Sequence, residues 1–270
     1  MPDYELVAPA RLEETLSLLG EYQPFAGGTD LMVPFKAGKL AWTKFVGTWH
    51  HDELRGISES PEHLTVGALT TLTEVQRHAL LREEFSLLFL AARETGGIAT
   101  QNRGTLGGNI ANSSPSADSS PALLVYEVDL ELQSTHGTRW VPYAAFHTGY
   151  KQTILRKDEL IARIRLPRTR TPRQHYFRKV GTRNAQAISK VCFAGIAEPN
   201  CVRIAVGSVG PISLRCLATE TAVAKGASIM EAREILAREI APIDDIRSTA
   251  RYPLRVAQNL LEEFLRATAK

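Results

Sequence analysis

Cysteine is scarce in this chain. It occurs three times in 270 residues, at Cys192, Cys201 and Cys216, and never in a C-x-x-C spacing. An odd count without clustered soft ligands excludes a disulfide framework, and it excludes a zinc or iron–sulfur centre held by this chain alone. The three are read as packed thiols. No apolar run approaches the ~20 residues that span a bilayer. The opening stretch MPDYELVAPARLEE carries acidic residues and no apolar signal core, so a cytoplasmic chain is expected. A net charge of +3 is too slight for a nucleic-acid or membrane-surface protein, and no basic stripe is interleaved with the few aromatics. Neither G-x-G-x-x-G nor G-x-x-x-x-G-K-[ST] occurs, which removes the Rossmann fingerprint and the P-loop.

The rest of the composition is ordinary, with 44% hydrophobic and 23% charged residues. A chain of this length supports two or three packing units. Strand signals at 4–9 and 44–49 flank an amphipathic helix at 10–20, a small α/β pattern. A strand running into a Thr-started helix follows from residue 62, then a strongly apolar helix at 85–97 closed by a double glycine. Residues 128–135 alternate as a half-buried strand with a hairpin return, and 158–183 alternate again around a Pro- and Arg-rich kink at 167–173. Strands at 188–197 and 201–210 suggest an antiparallel meander. Three helices are expected near 213–225, 228–240 and 245–267. The domains expected are 1–55, 56–168 and 169–270, the last with a three-stranded antiparallel sheet plus helices.

Two glycine loops carry the chemistry. PFAGGTDL, residues 24–31, puts Gly27 and Gly28 after an apolar strand, where paired glycines let successive N–H groups converge on an anion. Read alone it is more often a plain strand–turn–helix corner, because short glycine motifs match by accident. RGTLGGNIANSSPSADSSPALL, residues 103–124, crowds Gly104, Gly107 and Gly108 against Thr105, Asn109, Asn112, Ser113, Ser114 and Asp118. A neutral, donor-rich loop of this kind suits a pyrophosphate and its sugars, with Asp118 as an acceptor for a ribose hydroxyl. The bland alternative is a Ser-rich surface loop. Two such loops favour a large dinucleotide, and composition goes no further.

PFAGGTDLMVPFK followed by IATQNRGTLGGNIANSSPSADSSPALL resembles the flavin-binding medium subunit of molybdenum hydroxylases, the group that includes the carbon monoxide dehydrogenase medium subunit and xanthine dehydrogenase flavin domains. The resemblance continues through RKVGTRNAQAISKV, VRIAVGSVGP and DDIRSTARYPLRVAQNLLEEFL, and so covers essentially the whole chain. It implies an α+β, vanillyl-alcohol-oxidase-like (PCMH-type) fold, with two α/β subdomains around FAD and a C-terminal antiparallel sheet with helices. It implies that Phe25, Ala26, Gly27, Gly28, Thr29, Asp30 and Leu31 wrap the pyrophosphate from one side. Thr105, Gly108, Asn109, Asn112 and Ser114 face it, or the ribityl chain and flavin edge, from the other. Asp118 takes a ribose hydroxyl, and Ile161 and Lys179 lie beside the isoalloxazine. Lys179 reads equally as a solvated strand residue in a basic stretch with Arg173, Arg178 and Arg183. The carbon monoxide dehydrogenase branch reads with His and Ser where this chain has Thr29 and Asp30, nearer to the xanthine dehydrogenase-like branch.

The implied activity is that of an oxidoreductase subunit. Electrons come from [2Fe-2S] clusters of a small partner subunit, after substrate oxidation at a molybdopterin cofactor in a large one. They leave through FAD to NAD+, oxygen or a quinone, and a dimer of heterotrimers is the expected assembly. No catalytic side chain and no metal ligand is expected in this chain. The alternative is a stand-alone FAD-dependent oxidoreductase of the same fold with its own small-molecule substrate; a chain that kept only the fold is a third reading. His50-His51 lacks a third ligand for a metal, Tyr176 is an unplaced aromatic near the flavin segment, and Trp42, Trp49 and Trp140 read as core or interface anchors.

Overall fold

The computed structural model describes residues 3–169, 171, 173–183, 186–199, 201–244 and 249–268. The first expected strand and helix form as β1 (Glu5–Val7) and α1 (Leu12–Leu18). The chain turns at Gly20, whose φ of 97° glycine takes without strain. Next come β2 (Gln23–Phe25), α2 (Met32–Lys36) and β3 (Lys44–Gly47). The three strands are parallel in the order β1-β3-β2, so central β3 buries Phe45 and Val46. Pro34 stands at the third position of α2, where its missing N–H would have had no partner in the helix. The first glycine loop therefore leaves β2 at the carboxyl end of a parallel sheet, the end at which open α/β sheets receive ligands.

A second unit begins with the hairpin β4 (Ile57–Glu59) and β5 (His63–Gly67). The helices α3 (Leu72–Arg77), α4 (Ala79–Glu84), α5 (Ser86–Glu94), α6 (Ile98–Gln101), α7 (Leu106–Ala111) and α8 (Ser119–Val125) follow. Then come β6 (Asp129–Ser134), β7 (Gly137–Pro142), the small hairpin β8 (His147–Gly149) and β9 (Gln152–Thr153), and β10 (Leu160–Pro167). The antiparallel sheet runs β4-β5-β10-β6-β7. Its Leu64, Val66, Leu130, Leu132 and Ile164 pack with helix residues such as Leu72, Leu88 and Leu123 in one core. Ion pairs, Arg163–Glu131 at 2.6 Å and Arg165–Asp129 at 2.9 Å, occupy alternate positions, which is the alternation visible in the sequence. Thr71 and Glu74 close a capping box at the start of α3.

The helix α7 is a departure from expectation, because 103–118 reads as loop. Its Gly107 and Gly108 disfavour helix by ~1 kcal/mol each. Tertiary contact overrides this. A Cβ on Gly107 would stand 2.5 Å from the Ala68 Cβ, so only glycine lets α7 seat against the end of β5.

The third unit holds β11 (Gln174–Val180), β12 (Val191–Glu198), β13 (Cys201–Gly207) and β14 (Leu214–Arg215), then α9 (Leu217–Ala224), α10 (Ile229–Glu239) and α11 (Arg251–Thr268). The sheet is an antiparallel meander of four strands. The fourth is two residues long and was hidden in the helix expected from 213. Of the helix expected at 245–267, residues 245–248 lie outside the described residues, as do 170 and 172 of the expected kink and Asn184 and Ala185 of the RKVGTRNAQAISKV motif. β12 is apolar from Val191 to Ala197 because both its faces are covered. Val191 and Phe193 pack with Phe264 of α11, while Ala194 and Ile196 join the helical core of the second unit. Every residue of α8 is buried, and the helix packs on β12, β13 and β14 and against α5.

Candidate functional site

The two glycine loops meet. A Cβ built on Gly27 would lie 1.7 Å from the carbonyl oxygen of Arg103, so the backbone at 103–104 passes through space that any other residue would fill. Gly28 has φ of 74°, with the Phe25 ring beneath it, 2.7 Å from an added Cβ. The first loop thus needs both glycines, one for approach and one for conformation. The second loop is tied to β5 and its end by Leu106 N–H to Thr70 O and Gly107 N–H to Ala68 O, both 2.9 Å. Thr105 Oγ1 accepts from Gly108 N–H at 3.1 Å, and Ser119 Oγ donates to Asn109 Oδ1 at 2.5 Å. Asn112 Nδ2 donates to Asp30 Oδ1 at 3.0 Å, joining loop to loop.

Between the loops lies a cleft of about 640 Å³. Of the residues expected at the site, Ala26, Gly27, Gly28, Thr29, Asp30, Leu31, Thr105, Gly108, Asn109, Asn112 and Ile161 line it. Among the described residues the amides of Gly27, Gly28, Thr29 and Asp30 have no acceptor within the chain. Four successive free N–H groups in a glycine turn make a concavity for an anion. A β-bulge between Ile161 and Arg163 occurs where β10 borders the cleft.

Phe25, Ser114, Asp118 and Lys179 do not line the cleft. Lys179 is not the solvated residue its basic neighbours suggested. Its side chain is 6% exposed, its Nζ lies 2.6 Å from Asp118 Oδ2, and it donates to Glu94 O at 2.7 Å. Ser189 Oγ donates to the other Asp118 oxygen. Burial pushes the Asp118 carboxyl above its ordinary value, and Lys179 and Ser189 pull it back. The pair joins α8 to β11, one residue behind Thr95 of the cleft wall.

The sequence reading missed part of the lining. Tyr22, Leu69, Leu72, Leu155 and Leu160 form its apolar part, and Arg156 and Lys157 stand at its rim. These come from strand ends, bends and the start of α3, with no motif. Trp42, read as an anchor, is 47% exposed and lines the cleft. Trp49 carries the guanidinium groups of Arg55 and Arg103 at 4.4 and 3.8 Å from its ring centroid. Glu159, buried in the wall, is bound by Arg139 through both oxygens at 2.7 and 2.8 Å, which lowers its carboxyl below the usual range. The histidine pair serves the fold: His51 Nε2 lies 2.7 Å from Thr15 Oγ1, and His50 Nε2 lies 2.6 Å from Pro9 O. Among the described residues no three His, Cys, Asp or Glu converge as a metal site, and no helix is long and apolar enough to cross a membrane.

Comparison with known proteins decides the family. The FAD binding domain in molybdopterin dehydrogenase matches residues 2–169, more than half of the chain, and the CO dehydrogenase flavoprotein C-terminal domain matches 175–268. The chain belongs to the FAD-binding family of molybdopterin dehydrogenases. Curated relatives of this family member include a nicotinate dehydrogenase FAD-subunit from Eubacterium barkeri, 30% identical over 71% of this chain and 67% of the relative. A xanthine dehydrogenase FAD-binding subunit from Escherichia coli is 28% identical over 95% and 92%. Among solved structures, a carbon monoxide dehydrogenase from Hydrogenophaga pseudoflava, lacking the Mo-pyranopterin moiety of its molybdenum cofactor, superposes with a TM-score of 0.91 at 25% identity, over 97% of this chain and 96% of that one. The chain is thus an FAD-binding subunit of an oxidoreductase family, with the α+β, PCMH-type fold. FAD suits the cleft on its own terms, since the unpaired amides of 27–30 match a diphosphate and the apolar side chains of Leu155, Leu160 and Ile161 match flat ring systems.

Proposed function

We propose that this chain is the electron outlet of a molybdenum hydroxylase. In this reading a small partner subunit supplies electrons from [2Fe-2S] clusters and a large partner holds the molybdenum cofactor. The electrons leave this chain to NAD+, oxygen or a quinone, in a cytoplasmic dimer of heterotrimers. The domains are 1–55, 56–168 and 169–270, a division that the three larger sheets support, one in each. FAD, when bound, supplies the redox chemistry, and the protein supplies position and electrostatics.

The observation that carries the reading is the run of unpaired amides at 27–30, facing a second glycine loop across one cleft. Those amides hold the diphosphate from one side; Thr105, Gly108, Asn109 and Asn112 hold it from the other. Gly27 keeps the loops in contact and so excludes water from the join. Phe25 supports Gly28 from below. Asp118 and Lys179 stand outside the cleft lining, and drawing Lys179 out to the ring would break a buried ion pair, at a cost of several kcal/mol. Those two residues are therefore assigned to holding the wall behind Thr95.

The test is a visible absorption spectrum of the purified full chain, with the released cofactor quantified. A flavin spectrum with one FAD per chain and no iron–sulfur absorbance is expected. A folded, colourless chain that fails to take up added FAD would sink the reading. Reduction of the bound flavin by a reconstituted [2Fe-2S] partner, followed by reoxidation with each acceptor in turn, then distinguishes an outlet from a stand-alone oxidoreductase.

A further inference from the structure

The β8–β9 hairpin has no part in the reading above, yet it grips the second glycine loop. Lys151, at its turn with φ of 56°, donates through Nζ to Asn112 O at 2.9 Å and also to Asn112 Oδ1. One residue on, buried Ser113 adopts φ of 50°, a left-handed conformation that costs a serine ~1 kcal/mol or more. Its Oγ donates to Gln152 O at 3.3 Å and lies 2.9 Å from His147 Nδ1. Because the hydroxyl proton goes to Gln152, His147 Nδ1 is assigned as the donor to Ser113, which leaves Nε2 to accept from Tyr143 OH at 3.1 Å.

The contacts of Asn112 are directional. An ammonium only donates and a carboxylate only accepts, so Lys151 must take Oδ1 and Asp30 must take Nδ2. Asp30 and Asn112 line the cleft from opposite loops. Lys151, Asn112 and Asp30 therefore form one chain of hydrogen bonds from the hairpin, across the cleft rim, to the first loop.

We propose that Lys151 is a positioning residue for the flavin dinucleotide, fixing the separation of the two glycine loops through Asn112. The proposal rests on the FAD reading above. Lys151 is exposed, and nothing in the core depends on it. Removing it takes away charge-assisted hydrogen bonds of the kind that change affinity by about 10- to 100-fold.

The test uses the full chain freed of flavin, titrated with FAD by fluorescence quenching for wild type, Lys151→Met and Lys151→Arg. Amide hydrogen exchange over 105–114 is followed in the same proteins without FAD. Lys151→Met is expected to weaken FAD binding about 10-fold or more and to speed exchange over 105–114, with thermal stability unchanged; Lys151→Arg restores both. Wild-type affinity in Lys151→Met overturns the proposal, and so does weakened binding with unchanged exchange, which leaves only a distant charge effect. If wild type itself takes up no FAD, the FAD reading fails instead. Unchanged exchange in Lys151→Met would then overturn the loop clamp separately.

Discussion

The carbonyl oxygen of Arg103 lies 1.7 Å from the place a Cβ on Gly27 would occupy. A backbone carbonyl cannot swing aside as a side chain does, so Gly27→Ala has to part the two loops. A loss of about 2–3 kcal/mol is expected, as for overpacking a tight site. FAD affinity should fall at least ~10-fold, because the amides of 27–30 move away from the facing loop. Urea denaturation and flavin titration measure the two effects separately.

The Asp118–Lys179 pair is buried on both sides, at 2.6 Å. Lys179→Met leaves the carboxylate without its partner, and about 3 kcal/mol is expected to be lost at pH 8. Burial already holds the Asp118 carboxyl above 3.8, and loss of Lys179 raises it further. The folded variant then keeps a proton that the unfolded chain releases, so its stability falls as pH rises through that interval. The cost should therefore be smaller at pH 5 than at pH 8. Denaturation of both proteins at the two pH values checks it; an equal cost at both contradicts the burial argument.

His147 is held neutral by burial, its value lowered from 6.5 to about 4. The unfolded chain binds a proton in that window and the folded chain does not, so folding stability contributed by this group falls as pH drops from 6.5 toward 4. Replacement by Gln, which keeps one donor and one acceptor, should flatten that part of the stability profile. Melting temperatures of the two proteins at pH 7 and pH 4.5 give the comparison.

Trp49 carries two guanidinium groups, and Arg103 belongs to the backbone that fills the space beside Gly27. Two cation–π contacts of ~0.5–1 kcal/mol each would go in Trp49→Leu, a loss of about 1–2 kcal/mol. Faster amide exchange at 102–105 than in wild type would show that the stack steadies the loop.

The glycine loops were legible because their demands are local. A φ of 74° at Gly28 and a backbone approach at Gly27 require glycine wherever the chain goes next, and paired glycines beside Thr and Asn stand out in any sequence. The meander was legible for a similar reason, since apolar runs such as VCFAGIA describe a strand covered on both faces. The helix α7 was not, because intrinsic propensity opposes it and only contact with Ala68 explains it. The β8–β9 hairpin left no mark beyond two short polar stretches.

By itself, then, the sequence determined the main strands, the two glycine turns and, through its motifs, the family, since the turns demand backbone conformations that few residues can adopt. Tertiary structure alone decided which polar groups are spent on one another. Asp118 and Lys179 stand 61 positions apart, and Lys151 and Asn112 stand 39 apart. Pairing across such distances is set by how the units pack, and neither periodicity nor a motif encodes it.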